Sequence, residues 1–169
     1  SHVYGAGVAG GDAVVTSAAT TDTTAGTGGG DVIESGGTPT TVVADVDGDG
    51  DLDAVVGNAD GTLDYYRNDA GAYVEQTGTA NPFNGIDVGA DAVPTLVNLD
   101  GDTDLDLVVG AADGTLTTFI NTGGVYTETA GARDAIDVGD GAAPALADLD
   151  ADGDLDLVVG AADGTLAYY

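Results

Sequence analysis

Three segments of this chain repeat one another without gaps, and any fold proposed for it must accommodate that period. DVDGDGDLDAVVGNADGTLDYYRN begins at Asp45, NLDGDTDLDLVVGAADGTLTTFIN at Asn98 and DLDADGDLDLVVGAADGTLAYY at Asp148. The starts lie 53 and 50 residues apart (98 − 45 and 148 − 98). The likeness extends upstream: Ile33, Ile86 and Ile136 each stand twelve residues ahead of their loop, and Gly36, Gly89 and Gly139 nine ahead.

Each copy reads as a small antiparallel sheet. A short apolar strand, such as Thr40–Ala44 or residues 94–97, leads into the aspartate loop. A second strand follows over 105–110 in the middle copy, where Leu105, Leu107 and Val109 alternate with Asp106 and Val108. Asp-Gly at 60–61, 113–114 and 163–164 supplies a hairpin turn, because glycine tolerates positive φ. A third strand is predicted over 62–66 and 115–120, and a fourth at Ala72–Gln76 and Val125–Glu128. No stretch carries helical periodicity. The fold class is therefore all-β, a tandem array of four-stranded antiparallel blades of the kind that builds a β-propeller.

The organisation that follows is an N-terminal strand and arm over 1–32, then repeats over 33–85, 86–135 and 136–169. The third repeat lacks a fourth strand. His2-Val3-Tyr4 resembles Gly124-Val125-Tyr126, so the last blade is expected to be completed by the N-terminal strand, its own or a neighbour's. Closed propellers have about four to eight blades. A three-bladed ring, an oligomeric ring, a solenoid-like stack and a piece of a larger propeller all stay open. Residues 9–30, rich in Thr, Ala and Gly, read as a flexible arm; the sharper alternative is an assembly arm whose Ala13-Val14-Val15 pairs with a neighbour's edge. Its threonines are candidates for O-linked sugar, and no N-x-S/T acceptor occurs.

Composition removes several function classes. Thirty acidic residues stand against Arg67 and Arg133, for a net charge of −28. Such a chain repels nucleic acid and anionic membrane surfaces. With 43% hydrophobic residues it can still build a core. There is no cysteine, which excludes disulfides, thiolate catalysis and cysteine-held zinc. No apolar run approaches the ~18–20 residues needed to span a bilayer, so no membrane insertion is expected. The start, SHVYGAG, shows no signal peptide.

The aspartate spacing points to a hard cation. With Asp45 as position 1, Asp47 is 3, Asp49 is 5, Gly50 is 6, Asp51 is 7 and Asp53 is 9. Side chains at 1, 3 and 5 of a tight turn converge on one point, Gly50 lets the backbone turn the carbonyl of Asp51 inward, and Asp53 closes the shell. Oxygen ligands in a flexible loop suit Ca²⁺ better than Mg²⁺. The third loop repeats the set with Asp148, Asp150, Asp152, Gly153, Asp154 and Asp156. The second carries Asn98 at position 1, Thr103 at position 6, and Asp100, Asp102, Asp104 and Asp106. Asn98 removes a charge, and a β-branched Thr103 at positive φ would be strained. Of three calcium sites the second is therefore expected to be the weakest. An EF-hand is excluded, because Val56, Val109 and Val159 stand where its bidentate glutamate belongs.

The string D-x-D-x-D-G-x-x-D followed by LVVGAADGTL resembles the FG-GAP/VCBS repeat family, which includes the propeller blades of integrin alpha chains, over residues 39–169. The resemblance implies blades with calcium held between first and second strands, an extracellular or cell-surface setting, and roles in adhesion or assembly. The side-chain ligands it implies are Asp45, Asp47, Asp49 and Asp53; Asn98, Asp100, Asp102 and Asp106; and Asp148, Asp150, Asp152 and Asp156. The carbonyls of Asp51, Asp104 and Asp154 complete each shell.

Three functions are compatible with these features. One is a secreted, calcium-stiffened structural or adhesive protein that self-associates into a homo-oligomer or fibre through its N-terminal arm. Another is a module binding a carbohydrate or protein ligand, with Tyr65, Tyr66, Phe119, Tyr168 and Tyr169 as stacking surfaces, although such repeat-equivalent aromatics usually pack between blades. An enzyme is disfavoured: the aspartates belong to the repeat, Ser1, Ser17 and Ser35 lie outside it, and His2 stands alone.

Overall fold

The computed structural model of the protein describes residues 14–17, 32–35, 39–131 and 133–169. Strands β1 (Val14–Ser17) and β2 (Val32–Ser35) pair in parallel. Three antiparallel sheets follow. The first holds β3 (Thr40–Ala44), β4 (Asp53–Gly57), β5 (Leu63–Asp69) and β6 (Ala72–Gln76). The second holds β7 (Val93–Val97), β8 (Asp106–Gly110), β9 (Leu116–Thr122) and β10 (Val125–Glu128). The third holds β11 (Ala143–Ala147), β12 (Asp156–Gly160) and β13 (Leu166–Tyr168).

Within each sheet the register follows from the repeat. Ala44 pairs with Asp53, Val97 with Asp106 and Ala147 with Asp156, so each aspartate loop bridges the first two strands. The next hairpin closes the same way each time. Asn58 N donates to Thr62 O across the first, and Gly61, at φ 88°, occupies the left-handed position. The Asp60 carboxylate caps that turn by accepting from Thr62 N at 3.1 Å and Thr62 Oγ1 at 2.6 Å. Asp113 with Thr115 repeats the device. The hydroxyl bond holds the Asp60 and Asp113 carboxyls below their ordinary range.

The sheets stack in a row, face to face. Val55, Leu63 and Tyr65 of the first meet Leu107, Val109 and Phe119 of the second. Val108 and Leu116, on the second sheet's opposite face, meet Leu157 and Val159 of the third and Ala142 just ahead of it. All five residues of β4 and of β8 are buried, as strands covered on both faces must be, whereas β12 alternates buried with half-buried. Phe83 is the plug of the first junction. It lies 1% exposed, edge-on to Tyr65 at 5.9 Å and 4.7 Å from Tyr126.

Between consecutive sheets a connecting segment runs across the previous hairpin. Val88 N, Asp91 N and Ala92 N donate to Gly61 O, Ala59 O and Asn58 O at 3.0, 3.1 and 3.0 Å. Val138, Gly141 and Ala142 do the same to Gly114, Ala112 and Ala111 at 3.0, 2.8 and 2.9 Å. Such close approach requires bare backbone. A Cβ on Gly57 would lie 2.0 Å from Ala92 O, and one on Gly110 2.1 Å from Ala142 O.

The all-β fold and the antiparallel order match the sequence reading. The third strands run longer than expected, to Asp69 and Thr122, because β6 and β10 pair along their whole length. Among the described residues β3 lies beside β7 and β7 beside β11, and a closed propeller is not observed. Among them, too, the third sheet has three strands. His2-Val3-Tyr4, read as its completing strand, lies outside the described residues. Val14 and Val15, read as an edge-seeking segment of the arm, pair with Val32 and Ile33 of the same chain.

The two junction glycines and their third-repeat counterpart give an internal control. Gly110→Ala should lower stability by ~1–3 kcal/mol through overpacking against Ala142. Gly160→Ala should cost under ~0.5 kcal/mol, since its Cβ meets nothing closer than 3.6 Å. Denaturant midpoints of the two variants check this, and equal losses would refute the junction geometry.

Candidate metal centre

The first loop folds on its own carboxylates. Asp45 Oδ1 accepts from Gly48 N at 2.8 Å, and its Oδ2 from Gly50 N at 3.0 Å. Asp47 and Asp49 each accept from the amide two residues on, at 3.2 and 2.8 Å. Gly48 and Gly50 take φ 79° and 97°, which a side chain would resist. This winding brings carboxylate oxygens of Asp45, Asp47 and Asp49 within 4.8 Å of one another. Desolvation raises the Asp47 carboxyl above its ordinary value, the neighbouring charges of Asp53 and Asp49 push the same way, and the Asp49 amide opposes them. Ionising that group costs the folded loop free energy, and a divalent cation at the cluster would offset the cost.

Asp53, at position 9, is fully buried and sits apart from that cluster. Its Oδ1 accepts from Asn68 N at 2.8 Å; its Oδ2 accepts from Val46 N at 3.0 Å and Tyr65 OH at 2.8 Å. It thereby ties the loop entry to the third strand. The Asn68 and Tyr73 side chains both donate to Leu52 O, at 3.0 Å each. Burial and the Asp53 carboxylate push the Tyr65 hydroxyl far above its ordinary range.

The third loop brings together Asp148, Asp150 and Asp156, again within 4.8 Å. Here position 9 joins the cluster and position 5, Asp152, does not. Asp156 accepts from Tyr168 OH at 2.6 Å and Leu149 N at 2.7 Å, and the tyrosine bond holds its carboxyl below the usual range. The same bond, with partial desolvation and the loop's negative charge, pushes Tyr168 up to about 12. Ala151 takes φ 62° at position 4, where the other loops have Gly48 and Gly101. That left-handed requirement was not anticipated from the sequence, although glycine at position 4 of two loops was its signal.

The second loop departs from both. Asn98 Oδ1 accepts from Gly101 N at 2.8 Å, while its Nδ2 donates to Asp102 O. In the other loops the amide of position 6 donates back to position 1 (Gly50 to Asp45, Gly153 to Asp148). Thr103 makes no such bond among the described residues and is absent from the positive-φ positions. The strain expected at Thr103 is therefore relieved by a different loop path. Asp100 and Asp102 keep their short-range amide bonds, at 3.1 and 2.7 Å, and Asp104 Oδ2 accepts from Gly123 N at 2.8 Å. Asp106 is fully buried, accepting from Asn121 N and Leu99 N at 2.8 and 2.6 Å. Thr118 stands where the other repeats have Tyr65 and Tyr168, so Asp106 has no tyrosine donor and the buried Thr118 Oγ1 lacks a partner. Among the described residues, no three carboxylates of this loop gather as they do in the other two.

The aromatic residues divide by repeat. Tyr65 and Phe119 are buried between sheets and Tyr66 packs on Ala54 and Val56, whereas Tyr168 and Tyr169 are exposed.

Ala151→Gly should stabilise the third loop by about 0.5–1 kcal/mol, because glycine occupies the left-handed region without a Cβ penalty. Gly48→Ala should lose a comparable amount. Paired denaturant melts read both, and a destabilised Ala151→Gly chain would contradict the loop conformation.

No curated protein and no solved structure matches the chain. A family model described as an FG-GAP-like repeat matches residues 98–159, from the second aspartate loop through the strand after the third, and over that stretch the likeness read from the aspartate string is borne out.

Proposed function

We propose that this is a non-enzymatic, secreted repeat protein that binds calcium in its aspartate loops and serves a structural, assembly or adhesive role, with self-association through its N-terminal region. The observation that carries the reading is the pair of three-carboxylate clusters, Asp45–Asp47–Asp49 and Asp148–Asp150–Asp156, each within 4.8 Å and each on a loop joining two core strands. A cation there is held by a rigid pair of strands and stiffens it in return. The FG-GAP-like match supports an extracellular repeat module. No helix of the described residues is long and apolar enough to cross a membrane.

The loops are unequal in this reading. The second, with Asn98 for a carboxylate and no three-carboxylate group, binds least tightly. Saturating calcium should raise the melting temperature by about 5–10 °C over a chelator-treated sample, as expected for a site filled at a hundredfold its Kd. Asp45→Ala and Asp148→Ala should each remove more of that rise than Asp100→Ala. A melting curve indifferent to chelator would end the calcium reading.

One feature favours a second reading, a carbohydrate- or protein-binding module. A groove of about 450 Å³ runs between the first and second aspartate loops, lined by Asp45, Asp47, Asp104, Asn121 and Tyr126. That volume suits a small ligand, and carboxylates beside an aromatic ring suit sugar hydroxyls. A glycan array probed in calcium should then give hits that Tyr126→Ala abolishes; a blank array removes the carbohydrate form of this reading.

A further inference from the structure

An asparagine or aspartate followed by glycine cyclises when the glycine amide nitrogen attacks the side-chain carbonyl carbon, since glycine has no Cβ to block the approach. The attack needs an amide that is not already bonded. The sequence holds eight Asp-Gly pairs and one Asn-Gly pair, Asn84-Gly85. In all eight Asp-Gly pairs the glycine amide is engaged. Gly48 and Gly50 donate to Asp45, Gly101 to Asn98 and Gly153 to Asp148, at 2.8, 3.0, 2.8 and 3.2 Å. The hairpin amides of Gly61, Gly114 and Gly164 donate to the carbonyls of Asn58, Ala111 and Ala161, and Gly141 N donates to Ala112 O. The Gly85 amide makes no hydrogen bond among the described residues. Its neighbours do: Phe83 N donates to Asn81 Oδ1, Asn84 N to Asn81 O and Ile86 N to Phe83 O, at 2.9, 3.1 and 3.0 Å.

The asparagine is set apart in the same way. The side-chain amides of Asn58, Asn68, Asn81, Asn98 and Asn121 each donate a hydrogen bond. That of Asn84 makes none among the described residues. Asn84 and Gly85 are exposed, with Gly85 at φ 93°, and they border an open cleft of about 410 Å³ that admits water. We propose that Asn84-Gly85 is a modification site at which the chain deamidates itself through a succinimide. Gly85 N gives its proton to solvent and bonds to Asn84 Cγ. The Cγ–Nδ2 bond breaks, and Nδ2 leaves as ammonia. Water then opens the ring, at the side-chain carbonyl to leave aspartate or at the main-chain carbonyl to leave isoaspartate. The net change is amide plus water to acid plus ammonia, with no oxidant or reductant.

The location gives the reaction a consequence. Isoaspartate routes the main chain through the side chain and so adds a methylene between Phe83, the plug of the first junction, and Val88, whose amide is bonded to Gly61 O. The second connecting segment carries Asp134-Ala135 two residues ahead of Ile136, where the first has Asn84-Gly85 ahead of Ile86. It has neither the leaving amide nor the glycine, so ageing acts on one junction and spares the other. The inference is independent of the calcium and assembly readings.

The test ages the whole folded chain in mildly alkaline buffer and follows it by peptide mapping. Trypsin, cutting after Arg67 and Arg133, releases residues 68–133 with Asn84 inside. That fragment should gain the mass of an amide-to-acid exchange at Asn84, with isoaspartate in the product, on the order of tenfold faster than at any other asparagine. Isoaspartate at this position should lower the melting temperature by about 2–4 °C, as a loss near 1 kcal/mol does in a chain of this size. Asn84→Gln, whose longer side chain cannot close the five-membered ring, should melt like the fresh chain and show no such gain. Asn84→Asp should also melt like the fresh chain, which separates the added charge from the rerouted backbone. Deamidation at Asn84 no faster than at Asn58 or Asn121 would overturn the proposal. So would isomerisation of the folded chain's Asp-Gly pairs at a matching rate, since their engaged amides would then give no protection. An isoaspartate-bearing chain that melts like the fresh one would overturn the effect on the junction.

Discussion

Each repeat is organised around one buried carboxylate or its counterpart. Asp53 brings a negative charge out of water, which costs several kcal/mol unless the charge is fully bonded. Three donors converge on it: the amide at the loop entry, the amide of Asn68 on the third strand, and the Tyr65 hydroxyl. Charge-assisted bonds of this kind contribute about 1.5–3 kcal/mol each, enough to offset the desolvation. The loop is thus tied to the sheet before any cation is considered. Asp106 keeps the two amides and loses the tyrosine; Asp156 keeps Tyr168 and the loop-entry amide of Leu149. Asp53 and Asp106 are fully buried, whereas Asp156 is half-buried and turns toward its neighbours in the loop.

Much of this was legible because a repeat is read three times over. The strands, the hairpin glycines and the loop positions recur at fixed offsets, and their spacing defines the sheet order without any long-range information. What escaped is what differs between copies. Phe83 fills the first junction, yet the corresponding place before the third repeat is Arg133, so nothing periodic marks the phenylalanine as a core residue. Ala151 adopts the left-handed conformation that two glycines had hinted at. Thr103 avoids positive φ altogether, because Asn98 can donate to the Asp102 carbonyl where an aspartate cannot. Asparagine and threonine are therefore one coupled change of loop path, invisible when positions are judged singly.

The role of position 9 was likewise only half legible. Spacing alone counts Asp53 as one more oxygen near the cation. Its neighbours in three dimensions show a carboxylate engaged on both oxygens, and the tyrosine that engages it lies twelve residues away on another strand. Alternation within β5 puts Tyr65 and Leu63 on one face, but only the pairing of Val55 with Tyr65 brings that face over Asp53. Strand register, not composition, converts a ligand position into a structural bracket.

Charge and packing are coupled across the junctions as well as within them. Asp45 and Asp47 of the first loop line the same groove as Asp104 of the second, so stacking one sheet on the next brings acidic loops together. Apolar burial favours the stack, with leucines such as Leu63 and Leu116 each contributing about 1.5–3 kcal/mol when covered. Repulsion between loops opposes it, and only two arginines are available to soften that repulsion, one of them paired with Asp69 on the surface. A cation in one loop would act on two interfaces at once, relieving the carboxylates around it and lowering the potential felt by the loop of the adjoining repeat. In the calcium-binding reading proposed above, occupancy and repeat stacking would reinforce each other by that route, so that the stack would stiffen as a whole rather than loop by loop.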